Sequence, residues 1–332
     1  ITDANFDGTN VIYTIENTTI TSNQSFEEVS LFVDGNGSGN NVYLASNGVT
    51  VKASAGAVVG SEGVLNGVGY VIVDLTILNG MIAAQDDVTK VCTSLVTDMS
   101  FMFQNSTFNQ DISSWDVSNV TTMNSMFDNT TFNQDISAWD VSSVTDMGYM
   151  FYNAASFNQP IGDWDVSSVT DMTTMFVGTP FNQDISNWDV SNVTDMSYMF
   201  DNTTFNQDIS AWDVSNVTDM SYMFTGTSFN QDISSWDVSN VTNMGGMFTG
   251  TSFNQIIDNW DVSNVTDMSY MFDGSSFNQA LLGWDVSNVT NMDNMFYGAT
   301  AFNQYIANWS VDNVTNCDGF STNSPLTEAY TP

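Results

Sequence analysis

From about residue 91 onward, the apolar positions of the chain recur every 24 or 25 residues. One repeat is "DISNWDVSNVTDMSYMF", residues 184–200, in which Ile, Trp, Val, Val, Met, Met and Phe are separated by polar residues. All 9 tryptophans of the chain occupy the Trp position, and every repeat that has one also carries "FNQ". A fixed period in this range is typical of proteins built from stacked structural repeats.

Two local patterns predict the elements of one repeat. Trp188-Asp189-Val190 alternates apolar and polar residues, which predicts a β-strand with the aspartate facing outward. The next apolar residues come three apart, a spacing typical of a short helical or 3₁₀ turn. The sequence therefore predicts a repeat solenoid, leucine-rich-repeat-like, of about nine coils. Each coil would hold one parallel β-strand and a short helical or 3₁₀ return, with Trp, Val and Met in place of leucine.

The residues on either side of the array predict caps, which a solenoid needs because its ends expose core and strand edges. The segments "NVIYTI", "VSLFV", "VYLA" and "GVTVKA" predict strands. "LTILNGMIAA" (75–84) predicts an amphipathic helix over the first repeat, and the decaying pattern predicts that the core ends at Phe320. The expected organisation is a β-rich region at 1–46, a lead-in module and cap at 47–90, the solenoid at 91–320 and a tail or linker at 321–332.

A resemblance follows from these motifs. The combination of "IxxWDVSNVTDMSxMF" with "FNQDIS", and the lead-in at 47–103, resembles the 26-residue-type repeats of bacterial surface proteins. These are related to BspA-like leucine-rich repeats and occur in marine Bacteroidetes. The likeness covers about residues 47–320. It implies a secreted or outer-surface location on a bacterium and a role in adhesion or protein contact. Because the chain begins at Ile1 without a leader pattern, we expect any signal peptide to have been removed.

The net charge and the short apolar runs exclude some classes of partner. The chain has 38 acidic residues against 2 lysines, and no histidine, for a formal net charge of -36. Nucleic acid is excluded as a partner because phosphate binding depends on Lys and Arg. No apolar run approaches the ~20 residues that span a bilayer, so no membrane insertion of this segment is expected.

One acidic residue follows the tryptophan in eight repeats, and these residues are the candidate binding site. If the coils stack in register, their carboxylates lie about 4.8 Å apart, where two charges repel by about 0.9 kcal/mol in water. Three explanations of how this repulsion is offset stay open: screening by salty surroundings, bridging by a divalent cation, and docking of a cationic partner. Calcium is the candidate ion, although no EF-hand loop is present. The eight residues are Asp116, Asp140, Asp165, Asp189, Asp213, Asp237, Asp261 and Asp285.

Enzyme chemistry is not expected. Without histidine or arginine the chain lacks a Ser-His or Cys-His nucleophile, an ordinary zinc site and a bidentate phosphate clamp. Carboxylate pairs suited to glycoside hydrolysis would occur at every coil, and no position is distinguished from the others. Cys92 and Cys317 lie nine coils apart, roughly 43 Å at strand spacing, which predicts no disulfide between them.

Three polar files have structural interpretations. The "FNQ" amides are expected to hydrogen-bond from coil to coil. The "NVT" sequons are interpreted as a turn ladder, since the resemblance is bacterial. The threonine of "NVT" resembles an ice-binding file, but neighbouring aspartates such as Asp195 argue against that use.

The sequence therefore predicts a non-enzymatic surface protein whose acidic face binds a protein or glycan. The alternative is a structural spacer or surface-layer component with solvated or calcium-bridged acids.

Overall fold

The computed structural model describes residues 3–6, 11–15, 18–22 and 41–327. Near the amino-terminal end, the strands β1 (Asp3–Phe6), β2 (Val11–Ile15) and β3 (Thr18–Ser22) form an antiparallel sheet in that order. The strand predicted at "NVIYTI" is therefore present, whereas the one predicted at "VSLFV" (29–33) lies outside the described residues.

The lead-in segment consists of two small antiparallel pairs. Strand β4 (Val42–Leu44) pairs with β5 (Val51–Ala53), so this pairing crosses the expected division after residue 46. Strands β6 (Glu62–Leu65) and β7 (Val68–Ile72) form a hairpin. Its turn residues Asn66 and Gly67 have φ of 50° and 81°, the left-handed conformation that Asn-Gly favours in tight hairpins.

The predicted cap helix is confirmed as α1 (Leu75–Ala84). Asp74 caps its amino terminus by accepting a hydrogen bond from the backbone N–H of Ile77 at 2.9 Å. Leu78 is fully buried against the core of the first repeats. The chain then enters strand β8 (Val91–Cys92), which pairs in parallel with β7 and so joins the lead-in to the array. Within the described part of the chain, no helix is long and apolar enough to cross a membrane.

The repeats stack in register through parallel backbone hydrogen bonds. One residue of each repeat forms an isolated parallel bridge with its equivalents in the neighbouring repeats, in a series running from Asp98 to Asn316. After the bridge residue Asp195, four alternate N–H groups donate to carbonyl oxygens of the next repeat at 2.8 to 3.0 Å: those of Met196, Tyr198, Phe200 and Asn202. Between them, the N–H groups of Met199 and Asp201 donate to carbonyls three residues earlier in their own repeat, whereas that of Ser197 donates to the Asp195 side chain.

This pattern differs from the strand predicted in each coil. Trp188–Val190 is not a strand, and each repeat instead has one isolated parallel bridge, seven positions after the tryptophan. The expected helical or 3₁₀ return is instead a run of turns, because left-handed residues interrupt it at Tyr198 (φ 58°) and Asn202 (φ 54°). A left-handed residue cannot continue a right-handed helix, so the threefold apolar spacing here arises from successive turns.

The apolar files fill the interior, as predicted. All nine tryptophans are at most 5% exposed, and the Met and Phe files of repeats 123–296 are fully buried or nearly so. Each indole N–H donates to a carbonyl of the preceding repeat at 2.9–3.2 Å, so the tryptophans are satisfied as donors. Phe200 stacks on Phe224 at a centroid distance of 5.9 Å, and equivalent pairs continue along the array.

The "FNQ" amides form the expected ladder. The backbone N–H of Asn206 donates to the side-chain oxygen of Asn182 at 2.9 Å, and Gln207 donates to the backbone oxygen of Asn182 at 3.0 Å. Equivalent bonds join the successive repeats from Asn133 to Gln304. These amides therefore satisfy loop backbone groups between repeats.

The array loosens at its last repeat. Val311, Val314 and Phe320 are only partly buried, whereas their equivalents one repeat earlier are buried. Leu326 still packs against this end, so contact with the core continues past Phe320 into the segment expected to be a tail. Cys92 is buried in the first repeat and Cys317 is exposed in the last, both as free thiols.

Candidate binding surface

Seven of the eight candidate aspartates lie exposed in one file, which we call the tryptophan-following file. Each carboxylate accepts a hydrogen bond from the backbone N–H of the serine two residues later, at 3.0–3.3 Å, an Asx-type turn. The serine hydroxyl also donates to the carboxylate in several repeats, for example Ser191 to Asp189 at 2.6 Å. The seven are Asp140, Asp165, Asp189, Asp213, Asp237, Asp261 and Asp285.

Serine contacts favour the ionised form of four of these carboxylates. The hydroxyl of Ser215 and then its backbone N–H lower the pKa of Asp213 below its ordinary value of 3.8. The same pair of donors lowers the pKa of Asp165, Asp237 and Asp285. Hydrogen bonds to the charged form favour that form, so these residues of the file carry fixed, oriented negative charges at neutral pH.

Asp116, the first of the eight candidates, does not belong to the exposed surface. Its side chain is 3% exposed and lies under the lead-in, where Lys52 from β5 approaches one carboxylate oxygen to 3.7 Å. The hydroxyls of Ser94 and Ser118 donate to the same carboxylate. Since the lead-in covers this position, Asp116 anchors the cap to the first repeat instead of extending the acidic face.

A second acidic file, the bridge file, coincides with the parallel bridges. Its aspartates are half-buried except for the exposed Asp98, and amides of the same file contact two of them: Asn243 donates to Asp219 at 3.0 Å and Asn291 donates to Asp267 at 3.2 Å. Each aspartate also accepts the backbone N–H two residues on, as Asp195 does from Ser197 at 2.8 Å. From the sequence, these residues were recognisable only as neighbours of the threonines. Its aspartates are Asp98, Asp146, Asp171, Asp195, Asp219 and Asp267.

The threonine and asparagine files of "NVT" are occupied by hydrogen bonds between repeats. The hydroxyl of Thr218 donates to the backbone oxygen of Thr194 at 3.1 Å, and the amide of Asn216 donates to Ser191 at 2.7 Å. The same contacts recur at most other repeats. These contacts agree with the turn-ladder interpretation of the sequons.

No third acidic or thiol ligand joins any of these carboxylates. Among residues 41–327, no group of three or more Cys, Asp or Glu side chains lies close enough together to hold a metal ion. A calcium ion on either file would need to take its remaining ligands from serine, amide or backbone oxygens.

An exposed aromatic stripe, which the apolar pattern of the sequence did not predict, lies beside the bridge file. It occupies the third position after the bridge residue in five repeats, between the two methionines of "MSYMF". Tyr149, Tyr198 and Tyr270 are 41%, 38% and 38% exposed, and Phe101 at the start of the file is 56% exposed. Tyr198 stacks on Tyr222 with a centroid distance of 4.7 Å. The letters of the repeat contained this signal, because a residue between two buried methionines need not itself be buried.

The stacked repeats and their aromatic period define this chain as a repeat protein. The family described as "Mycoplasma protein of unknown function, DUF285" matches residues 76–180, 161–252 and 227–329. These matches together cover well over half of the chain, so the chain belongs to this family. No curated protein and no solved structure matches the chain.

Proposed function

We propose that this chain is a non-enzymatic, secreted or cell-surface protein that uses an acidic face of its repeat array for adhesion to a protein or glycan. The proposal includes a location on the outer surface of a bacterium. It also includes a leucine-rich-repeat-like solenoid of the BspA-related kind, in which one bridge residue per coil takes the place of a longer strand.

The observation that carries the proposal is the regularity of the tryptophan-following file. Seven carboxylates repeat in register, and each is fixed by the serine two residues later. An array of fixed charges binds an extended partner through many similar weak contacts, whose combined affinity exceeds that of any one contact. The partner would carry positive charge or many hydrogen-bond donors, because carboxylates are acceptors only.

The absence of enzyme activity is proposed from composition and from the monotony of the surface. The chain has no histidine. The exposed aspartates of the tryptophan-following file share one local environment, whereas catalytic acids need environments that differ from each other.

The test compares two matched sets of substitutions in pull-downs from the native cell surface. The first set changes Asp→Asn in the tryptophan-following file, which removes charge but keeps the oxygen that accepts the serine N–H. The control set changes five exposed aspartates that follow "FNQ" and make the same turn at 2.9–3.0 Å. The first set is Asp165, Asp189, Asp213, Asp237 and Asp261; the control set is Asp111, Asp135, Asp184, Asp208 and Asp232.

We expect the wild-type chain and the control set to retain the same partner, and the first set to lose it. Retention should also weaken between 0.15 and 1 M salt, because screening of exposed charges grows over that range. Equal retention by the two sets would contradict the acidic-face proposal.

The alternative is a stiff spacer or surface-layer component whose acidic files are solvated or bridged by calcium. The amides that contact Asp219 and Asp267, and backbone contacts such as that of Ser197 to Asp195, favour it, since they reduce repulsion along the bridge file without any partner. Thermal unfolding with calcium and with chelator distinguishes the two forms of this alternative. A calcium-dependent rise in stability supports bridging, and no change supports a solvated face.

A further inference from the structure

The residues of the aromatic stripe have a left-handed backbone conformation, which does not favour aromatic side chains. Every repeat has two left-handed positions, one in the turn after the buried phenylalanine and one in the stripe. The first is filled by Asn or Gly from repeat to repeat, as at Asn202 and Gly226. The stripe position holds the buried Ser125 and Thr174 in two repeats, but in five others it holds Phe101 (φ 59°) and four tyrosines with φ of 57–58°: Tyr149, Tyr198, Tyr222 and Tyr270.

A bulky residue in the left-handed region costs free energy that Asn or Gly avoids, and such strain tends to persist at functional positions. In the same file, Gly246 (φ 65°) and Asn294 (φ 54°) adopt the left-handed conformation at a lower cost in free energy. Burial in the core does not offset this conformational cost, because Phe101, Tyr149, Tyr198 and Tyr270 are exposed. These exposed aromatic side chains are therefore available for contact with something outside the chain.

The backbone of Gly246 contacts the ring of Tyr222. A Cβ added at Gly246 would lie 2.3 Å from two ring carbons of Tyr222, so the ring rests directly on the glycine backbone. Tyr198 stacks on the other side of Tyr222 at 4.7 Å with an interplanar angle of 11°. Glycine at residue 246 thus leaves room for a paired aromatic platform on the surface of the array.

The charges of nearby carboxylates act on both tyrosines of the platform. Burial and then the charges of Asp201 and Asp219 raise the pKa of Tyr198, and burial, the neighbouring tyrosines and Asp267 raise the pKa of Tyr222. The phenols consequently stay protonated, with acceptor groups beside them. A ligand on this platform meets the exposed ring of Tyr198, since both faces of Tyr222 are covered, and hydrogen-bond acceptors lie nearby.

We infer that the stripe of Phe101, Tyr149, Tyr198, Tyr222 and Tyr270 is a binding track for an extended glycan chain without anionic groups. The C–H faces of sugar rings pack against aromatic faces, and sugar hydroxyls donate to carboxylates. The net charge of -36 disfavours anionic polymers and a second copy of the chain. Phe101, Tyr149 and Tyr198 recur every second repeat, about 9.6 Å at strand spacing, which suits a polymer whose units repeat along the same line.

This inference rests on the proposed binding role and assigns it a second surface. The test measures binding of the full chain to microcrystalline cellulose, chitin and chitosan, with alginate as the anionic comparison. The variant is Tyr198→Asn/Tyr222→Asn, because asparagine already occupies the same left-handed position at Asn294. The matched control is Ile256→Ala, which removes an apolar side chain that is 63% exposed in the file after "FNQ". Unchanged thermal unfolding verifies that both variants fold.

We expect the wild-type chain and Ile256→Ala to bind at least one of the three non-anionic glycans and not alginate. The tyrosine variant should lose at least tenfold in affinity. Binding to neutral cellulose or chitin should persist at 1 M salt, unlike binding by the acidic face, so the two proposals fail independently. No binding to any non-anionic glycan, equal binding by the tyrosine variant, or tyrosine-dependent capture of a proline-rich or lysine-rich peptide instead of a glycan would overturn the inference.

Discussion

The indole nitrogen of Trp188 donates a hydrogen bond to the backbone oxygen of Ile161 in the preceding repeat, at 3.0 Å. The tryptophan file thus does two things at once: it fills the interior and satisfies a buried carbonyl of the neighbouring coil. This dual role accounts for the placement of all nine tryptophans of the chain in one file.

Substitutions of Trp188 separate these two contributions. Trp188→Phe keeps an aromatic ring but leaves the Ile161 oxygen without its donor, and we expect a loss of about 1–3 kcal/mol in the free energy of unfolding. Trp188→Ala also creates a cavity and should cost about 3–5 kcal/mol. Denaturant unfolding followed by circular dichroism measures both. Equal stability of Trp188→Phe and the wild-type chain would show that the hydrogen bond contributes nothing.

The buried charge of Asp116 provides a second prediction. Lys52→Met removes the cation near a carboxylate that is 3% exposed, and we expect a loss of about 1–3 kcal/mol. The control is Lys90→Met, whose ion pair with Asp87 has both side chains 59% exposed and should change stability by less than ~0.5 kcal/mol. Thermal unfolding compares the two variants. Equal effects would mean that Lys52 does not anchor the lead-in to the array.

Protonation of Asp201 makes stability depend on pH. Burial raises the pKa of Asp201 to about 6 from its ordinary value of 3.8, so the folded chain favours the protonated form. This contribution to stability is fully present below pH 3.8 and is lost as pH rises through 6. Asp201→Asn should therefore flatten the decline in unfolding temperature between pH 4 and 7, while the Asn202 amide can still donate to the remaining oxygen.

Asp208→Asn is the matched control for this pH dependence. The backbone N–H and then the hydroxyl of Ser210 lower the pKa of Asp208, so its contribution is present above pH 3.8 and is lost only as pH falls below that value. Its substitution should leave the profile between pH 4 and 7 unchanged. If Asp208→Asn flattens that range as much as Asp201→Asn does, general relief of charge repulsion explains the profile better than burial of one carboxyl.

The sequence predicted the parts of this protein that depend on apolar periodicity. The buried Trp, Met and Phe files, the amide ladder and helix α1 all follow from spacing and residue type, because burial imposes a strict pattern. The local backbone was harder to predict. Tyr198 in the left-handed region converts an expected helical turn into successive tight turns, and propensity alone does not place a tyrosine there.

The candidate site, too, was predicted only in part from the sequence. The aspartates from Asp140 to Asp285 were correctly placed on the outside, since the residue after a buried tryptophan faces away from the core. Asp116 shares their sequence context, yet it is covered by a lead-in that pairs with the array from 50 or more residues away in sequence. A contact at that separation has no signature in the repeat itself.

The central claim is that successive repeats stack directly on one another, and spin-label distances along the exposed threonine file test it most directly. With Cys317→Ser to remove the exposed thiol, labels at Thr121→Cys/Thr218→Cys and at Thr121→Cys/Thr290→Cys lie four and seven repeats apart. At strand spacing we expect about 19 and 34 Å, increasing almost in proportion to the number of repeats, with narrow distributions. Broad distributions, or distances that do not grow with repeat number, would contradict the stacked arrangement.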